Sequence, residues 1–290
     1  MNKFAIITDS AGDLSQQMVE ELDISVLPLH FMMQGVERAD TPDHEDMPIK
    51  TFFDLLRAGE RATTSALNAN DYIELLTPML EGGQDVLILS FSSGLSTTYQ
   101  SSAIAVEELK EKFPDRKIYT VDTLAASLGH GLLVWYAAQQ RAQGKTIDEV
   151  RDWQEENKLH LCHWFTVDNL NHLKRGGRVS AATALLGTML AIKPVLHVDN
   201  DGHLISMGKA RGRNASIKAL VDKMEETAIE PAGQTVFICH GDCQDDAEKM
   251  ADMIRERMGV QTIRIGAIGP VIGAHSGPGT LAVFYIGSER

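Results

Sequence analysis

Val86-Leu87-Ile88-Leu89-Ser90-Phe91-Ser92-Ser93-Gly94-Leu95-Ser96-Thr97-Thr98 runs from an unbroken apolar stretch into a string of hydroxyls around one glycine. A strand covered on both faces reads as a continuous apolar run, and the polar stretch after it reads as a loop entering a helix. The same pattern recurs on both sides. Phe4-Ala5-Ile6-Ile7-Thr8 ends on Asp9-Ser10, and Ile118-Tyr119-Thr120-Val121 ends on Asp122-Thr123. Residues 24–29 form another run, and Pro28 near its end suits a sheet edge, because proline has no N–H for a ladder. Between the runs, Ile73, Leu76 and Leu80 share a helical face, as do Val106, Leu109 and Phe113, and Leu128, Leu132 and Trp135. Strand and helix in alternation predict a parallel sheet with covering helices in the first half.

Downstream the pattern changes. Residues 152–158 are polar and mark the expected boundary between an N-terminal α/β domain, 1–157, and a C-terminal α/β domain, 158–290. A chain of 290 residues is long enough for two cores. Strand-like runs at 195–198, 203–207, 236–240, 262–265 and 282–286 accompany two amphipathic helices. One helix carries Ile217, Leu220, Val221 and Met224; the other carries Ala247, Met250, Ala251, Ile254 and Met258. Asn200-Asp201-Gly202 predicts a hairpin, because Asp-Gly accepts positive φ. The second domain is therefore expected to hold a mixed sheet.

The charge excludes some functions. Forty acidic against 27 basic residues leave a net charge of -13, which repels nucleic acid and anionic membrane surfaces. Cys162, Cys239 and Cys243 are too few, and odd in number, for a disulfide framework. The opening MNKFAIITDS enters a strand at once, without a secretory pattern. The longest apolar-looking segment, 181–198, is interrupted by Gly187, Thr188, Lys193 and Pro194. A reduced, cytoplasmic protein is expected, with no stable membrane insertion and no nucleic-acid partner.

In a doubly wound sheet, ligands sit beyond the carboxyl ends of the strands. Here those ends carry Thr8-Asp9-Ser10, Ser92-Ser93-Gly94-Leu95-Ser96 and Asp122-Thr123, and the loop Thr63-Thr64-Ser65 precedes a helix. Hydroxyls beside free amides at helix starts can cradle a carboxylate. Helix capping needs fewer of them than the 92–98 segment supplies. Lys174-Arg175-Gly176-Gly177-Arg178 places a glycine pair between cations, where an anion could approach the backbone. Lys209-Ala210-Arg211-Gly212-Arg213 is a second basic cluster, suited to docking a partner or to plain solvation. Ile272-Gly273-Ala274-His275-Ser276-Gly277-Pro278-Gly279 reads as a rigid loop of glycines and a proline around one imidazole, which can donate to a carboxylate or act as a base. Cys239-His240-Gly241-Asp242-Cys243 resembles metal ligands but lacks the second pair of a structural zinc site, so no metal is expected. There is no phosphate loop and no Gly-x-Gly-x-x-Gly after a strand, so the chain has no recognisable nucleotide site and no cofactor is expected.

The order of these motifs, from Ile7-Thr8-Asp9-Ser10 through Thr64-Ser65, Ser92 to Ser96, Val121-Asp122-Thr123, 173–178, Ile192-Lys193-Pro194-Val195 and 209–213 to 273–279, resembles the DegV family across nearly the whole chain. The resemblance implies two α/β domains with a fatty acid between them. It implies hydroxyls and a histidine at the carboxylate: Thr64, Ser93 and His275, with Ser65 and Ser96 as further candidates. It implies no catalysis by the chain itself, but presentation of the fatty acid to a separate ATP-dependent fatty acid kinase subunit, with Arg211 in the docking segment. The acyl tail is expected on the second domain, along Ala184-Leu185-Leu186 and Met189-Leu190. The chain departs from the family pattern at Ala66-Leu67, where Gln-Pro is common, and at Thr97, where glycine is common. The alternative is a serine hydrolase acting on a lipid-like ester, with Ser93, Asp199 and His275 as a triad. A nucleophile elbow needs glycine two residues before the serine, and Phe91 stands there. A phosphotransferase is more remote, for want of a nucleotide loop.

Overall fold

The computed structural model describes residues 4–179 and 192–290. The sequence runs through β1 (Ala5–Asp9), β2 (Ser25–Leu27), β3 (His30–Met33), β4 (Val36–Ala39), β5 (Ala62–Ser65), β6 (Val86–Ser90) and β7 (Ile118–Asp122) before its midpoint. Strands β2-β1-β6-β7 form a wholly parallel sheet in that order. Every residue of β1 and β6 is buried, as their continuous apolar character requires when helices cover both faces. The Pro28 segment supplies β2, at the edge.

Two features of this half depart from expectation. Thr63-Thr64-Ser65 is not a loop: it belongs to β5, the outer strand of a three-stranded antiparallel sheet ordered β4-β3-β5. β-Branched threonines fit a pleated surface, and the period of two turns Thr64 inward while Thr63 and Ser65 face solvent. The hydroxyl-rich composition concealed the alternation. The polar stretch at 152–157 lies within the helix Ile147–Asn157, whose Val150 and Gln154 are buried.

The second half holds β8 (Leu161–Thr166), β9 (Ile192–Val198), β10 (Leu204–Arg211), β11 (Thr235–His240), β12 (Thr262–Ala267) and β13 (Leu281–Ile286) in one mixed sheet, ordered β10-β9-β8-β13-β11-β12. The sequence did not disclose β8, because His163 breaks the apolar run. β11 and β12 are parallel and the other neighbours antiparallel. Alternation splits this sheet into two faces. Cys162, Trp164, Val195, Ile238 and Val283 pack in one core with Ile217 and Met250 of the helices Arg213–Thr227 and Gln244–Met258. Phe165, Leu196, Cys239, Ala282 and Phe284 face the other way and join the core of the first half. The hairpin at Asn200-Asp201-Gly202 is present: Asp199 N donates to His203 O at 2.9 Å, and Gly202 has φ +77. Its turn docks on the first half, where Ser92 Oγ donates to Gly202 O at 3.0 Å. The fold is α/β, with a parallel N-terminal sheet and a mixed C-terminal one. Among the described residues no helix is long and apolar enough to cross a membrane.

Candidate functional site

A cavity of about 380 Å³ lies between the inner face of the six-stranded sheet and the carboxyl ends of the parallel strands. Its wall is largely apolar, including Leu29, Phe91, Phe165, Ile268, Ala282 and Phe284. Thr64, Ser65, Ser93, Ser96 and His275 all line it, together with Thr97 and Arg178. The size falls in the roughly 300–1,000 Å³ range of small-molecule sites, and an apolar wall with few polar groups is their usual make-up.

The loop bearing Ser93 is held from below by carboxylates at the ends of neighbouring strands. Asp9 Oδ2 accepts from Phe91 N at 2.9 Å, and Asp122 Oδ1 accepts from Ser93 N at 3.2 Å. Burial raises the Asp9 pKa, opposed by His130 and by the two amides it accepts from. Ser96 is partly occupied as a local cap: its Oγ accepts from Thr98 N at 3.2 Å and lies 2.8 Å from Thr98 Oγ1. Ser65 is exposed beside Thr64. Thr97 has φ -82, so no glycine geometry is needed there; of the departures at Ala66-Leu67 and Thr97, Ala66 and Thr97 face the cavity and Leu67 is buried in the core.

His275 closes the site from the other half. The stretch around it is not the expected loop but the short helix Pro270–Ser276, because proline suits its first turn and the first glycine after it, Gly277, ends it. His275 Nε2 lies 2.8 Å from Thr64 Oγ1, a contact between residues 211 apart in sequence. The imidazole is seated against Gly176, where any Cβ would overlap Nδ1. Gly177 beside it takes the left-handed conformation, φ 71, that ends the helix Asn171–Gly176. The glycine pair thus serves two needs, a seat for the imidazole and the tight turn that was the alternative to an anion seat in the sequence. Arg178 is the residue of that segment that reaches the cavity. Its Nε donates to Leu95 O at 3.2 Å, and a second guanidinium nitrogen donates to Gly176 O.

Burial, and then the Arg178 charge, push His275 down to about 4, so the imidazole is neutral at pH 7. An unfolded histidine titrates near 6.5. Between those values the unfolded chain holds a proton that the folded chain lacks, so folding stability falls as pH drops through this window. The loss should reach up to about 3 kcal/mol near pH 4. Comparing urea midpoints of ligand-free wild type and His275→Gln from pH 7 to 4 checks this. Only the wild type should lose that increment, and parallel curves would show that His275 is not the group.

Deeper in the cavity are residues that the sequence did not single out as ligand contacts. Ser127 Oγ donates to Asp13 Oδ2 and lies 3.3 Å from Cys239 Sγ. Burial pushes the Cys239 thiol far up, so it is a small apolar surface rather than a nucleophile. His163 is buried and held neutral by desolvation. No local pattern marks Ser127 or His163, and Cys239 stood out only within the Cys239–Cys243 cluster, because their place at the cavity is set by neighbours distant in sequence.

Other expected residues lie elsewhere. Arg211 is exposed at the end of β10, the outer strand of its sheet, away from the cavity. The triad is not assembled. Asp199 Oδ1 accepts from Asp201 N at 3.0 Å and His203 N at 2.8 Å, as a turn-forming aspartate does, and His275 is bonded to Thr64. Cys239 and Cys243 face different partners, Cys239 towards Ser127 and Cys243 towards Thr280 O. Among the described residues, Asp199, Asp201 and His203 bring ligand atoms within 4.8 Å of one another, on an exposed turn. The 184–186 and 189–190 segments expected along the acyl tail lie outside the described residues.

A family model described as uncharacterised protein, DegV family, matches residues 3–288. The chain belongs to the DegV family. A DegV domain-containing protein of Clostridium perfringens, CPE0026, is 50% identical over 290 residues, covering 100% of this chain and 99% of the relative. Among solved structures, a DegV lipid binding protein of Thermotoga maritima is 31% identical, with a TM-score of 0.86 and 99% of each chain covered. A DegV family protein of Thermus thermophilus, described by its fatty acid binding, is 30% identical with a TM-score of 0.86, covering 98% of this chain and 99% of that one. The α/β arrangement, with its parallel N-terminal and mixed C-terminal sheets, is therefore that of the DegV family.

Proposed function

We propose that this chain binds one long-chain fatty acid in the cavity, between residues 1–157 and 158–290, and performs no covalent chemistry itself. The carboxylate lies against Thr64, Ser93 and His275, with Ser65 and Ser96 beside them. The acyl chain follows the apolar wall. The observation that carries the reading is the meeting of Thr64 and His275, from opposite halves, at a largely apolar cavity. The lipid- and fatty-acid-binding DegV relatives of the same fold support it.

The energetics agree. Burying the fifteen or so apolar carbons of a sixteen-carbon chain yields on the order of 12 kcal/mol gross at roughly 0.8 kcal/mol each. Ordering and lost translation offset much of this. A carboxylate left unmatched in such a cavity would cancel the rest, so hydroxyls, the imidazole and Arg178 supply its partners. Native mass spectrometry of the purified protein should show one bound fatty acid, and calorimetry of the delipidated chain should recover binding of hexadecanoate. No bound lipid together with no heat of binding overturns the reading.

The finer part of the reading is presentation of the carboxylate to a separate ATP-dependent fatty acid kinase subunit. The chain has no phosphate loop of its own, and Arg211 stands exposed on an outer strand, available to a partner. Arg211→Glu should cut acyl-phosphate formation with the cognate kinase at least tenfold, as loss of an interfacial charge pair does. Fatty acid retention should stay unchanged. Lipid loss in that variant would mean that Arg211 serves the cavity instead.

A further inference from the structure

The contact with Thr64 holds only the far end of the helix that carries His275. That helix belongs to the C-terminal half, yet its first amides are held by two aspartates of the N-terminal half. Gly269 N donates to Asp13 Oδ1 at 2.9 Å, and Val271 N donates to Asp40 Oδ2 at 3.0 Å. Both aspartates are buried, at 8% and 2% exposure. A Cβ on Gly269 would stand 3.0 Å from Asp13 Oδ1 and 3.2 Å from each Asp40 oxygen, so the two carboxylates converge on one residue. The second Asp13 oxygen accepts from Ser127, and His44 Nδ1 lies 3.6 Å from Asp40 Oδ1.

This is a costly way to cap a helix of seven residues. One serine or asparagine would satisfy a first-turn amide without burying charge. Here desolvation raises both pKa values, and Asp40 raises Asp13 further. What the pair adds is direction. Along its length the helix packs against the apolar rings of Phe52 and Phe53 at Gly273, and its other directional contacts lie at the far end, His275 with Thr64 and Ser276 O accepting from Thr280 Oγ1 at 3.0 Å. Apolar contact is non-directional and tolerates sliding along the axis, whereas a hydrogen bond fixes axial position. His275 is six residues beyond Gly269, about 9 Å along the axis at 1.5 Å per residue. Over so short a lever a shift at the helix start passes undiminished to the imidazole.

We infer that Asp13 and Asp40 are positioning residues for His275, holding its helix so that the imidazole meets Thr64 and the ligand head group. Head-group affinity is then set in part by two side chains that never touch the ligand. The inference rests on the fatty-acid reading of the cavity.

The test compares hexadecanoate with its methyl ester, which keeps the tail and loses the charge. Wild type should prefer the acid. Asp40→Ala and Asp13→Ala should each weaken acid binding roughly tenfold or more, the worth of a misaligned bond to a charged group, and leave ester binding unchanged. Asp40→Asn should restore the preference, because the amide oxygen still accepts from Val271 N. If Asp40→Ala does not fold, Asp40→Ser replaces it, its hydroxyl being too short to span the same gap. Acid and ester affinities falling together would show a merely structural role and overturn the inference, as would an acid preference that survives in both alanine variants. Wild type binding neither compound is a separate result, which removes the fatty-acid reading itself.

Discussion

A chain carrying Ser93→Ala together with His275→Leu should bind long-chain fatty acids at least about a hundredfold more weakly than wild type. On the proposed head-group reading each substitution removes one donor to a buried carboxylate, and a hydrogen bond to a charged group contributes roughly 1.5–3 kcal/mol. The two donors serve one head group, so their effects overlap, and the lower end of the sum, about 3 kcal/mol, still exceeds two decades in Kd. The fold should survive. His275 is already neutral at pH 7, so leucine removes no charge pair, although Thr64 Oγ1 loses its partner. Calorimetry on the delipidated double variant, with a thermal melt as control, measures the effect. Unchanged affinity in a folded protein would remove the head-group assignment and leave the family untouched.

Ala282→Phe should convert the cavity into one for short acids. Ala282 lies on β13, paired with Phe165 of β8 and Cys239 of β11, and its side chain faces the cavity. A phenyl ring there enters open space rather than a packed core, so the overpacking cost of about 1–3 kcal/mol is largely avoided. It displaces about five methylene groups of a long chain, worth about 4 kcal/mol. Binding of hexadecanoate should fall roughly a thousandfold, and binding of decanoate should stay close to wild type. The signature is the crossover between the two acids. Equal losses for both would place the tail elsewhere.

Most strands and helices were legible because their signals are local. The apolar runs at β1, β6 and β7 and the helical faces at Leu76, Leu109 and Leu132 need no knowledge of partners. The elements that escaped are those whose role depends on what lies opposite. β8 carries His163, whose ring is desolvated beside Phe284 in an edge contact at 5.5 Å, and no single-strand pattern signals that. β5 is built from hydroxyl residues, and it became a strand because Phe31 of β3 stands beside Thr64.

The chain by itself determined the α/β class, the change from parallel to mixed sheet, the family, and the short roster of hydroxyls with one imidazole that line the cavity. All of these follow from spacing and side-chain chemistry written in order along the polypeptide. Only the tertiary structure decided which of those groups meet. It brought Thr64 to His275 across 211 residues, selected Arg178 from a run of cations, and set two aspartates under the His275 helix. It also set protonation: the imidazole of His275 is neutral because it is buried beside a guanidinium. Desolvation and the field of neighbouring charges depend on distances through space, and sequence order does not contain them.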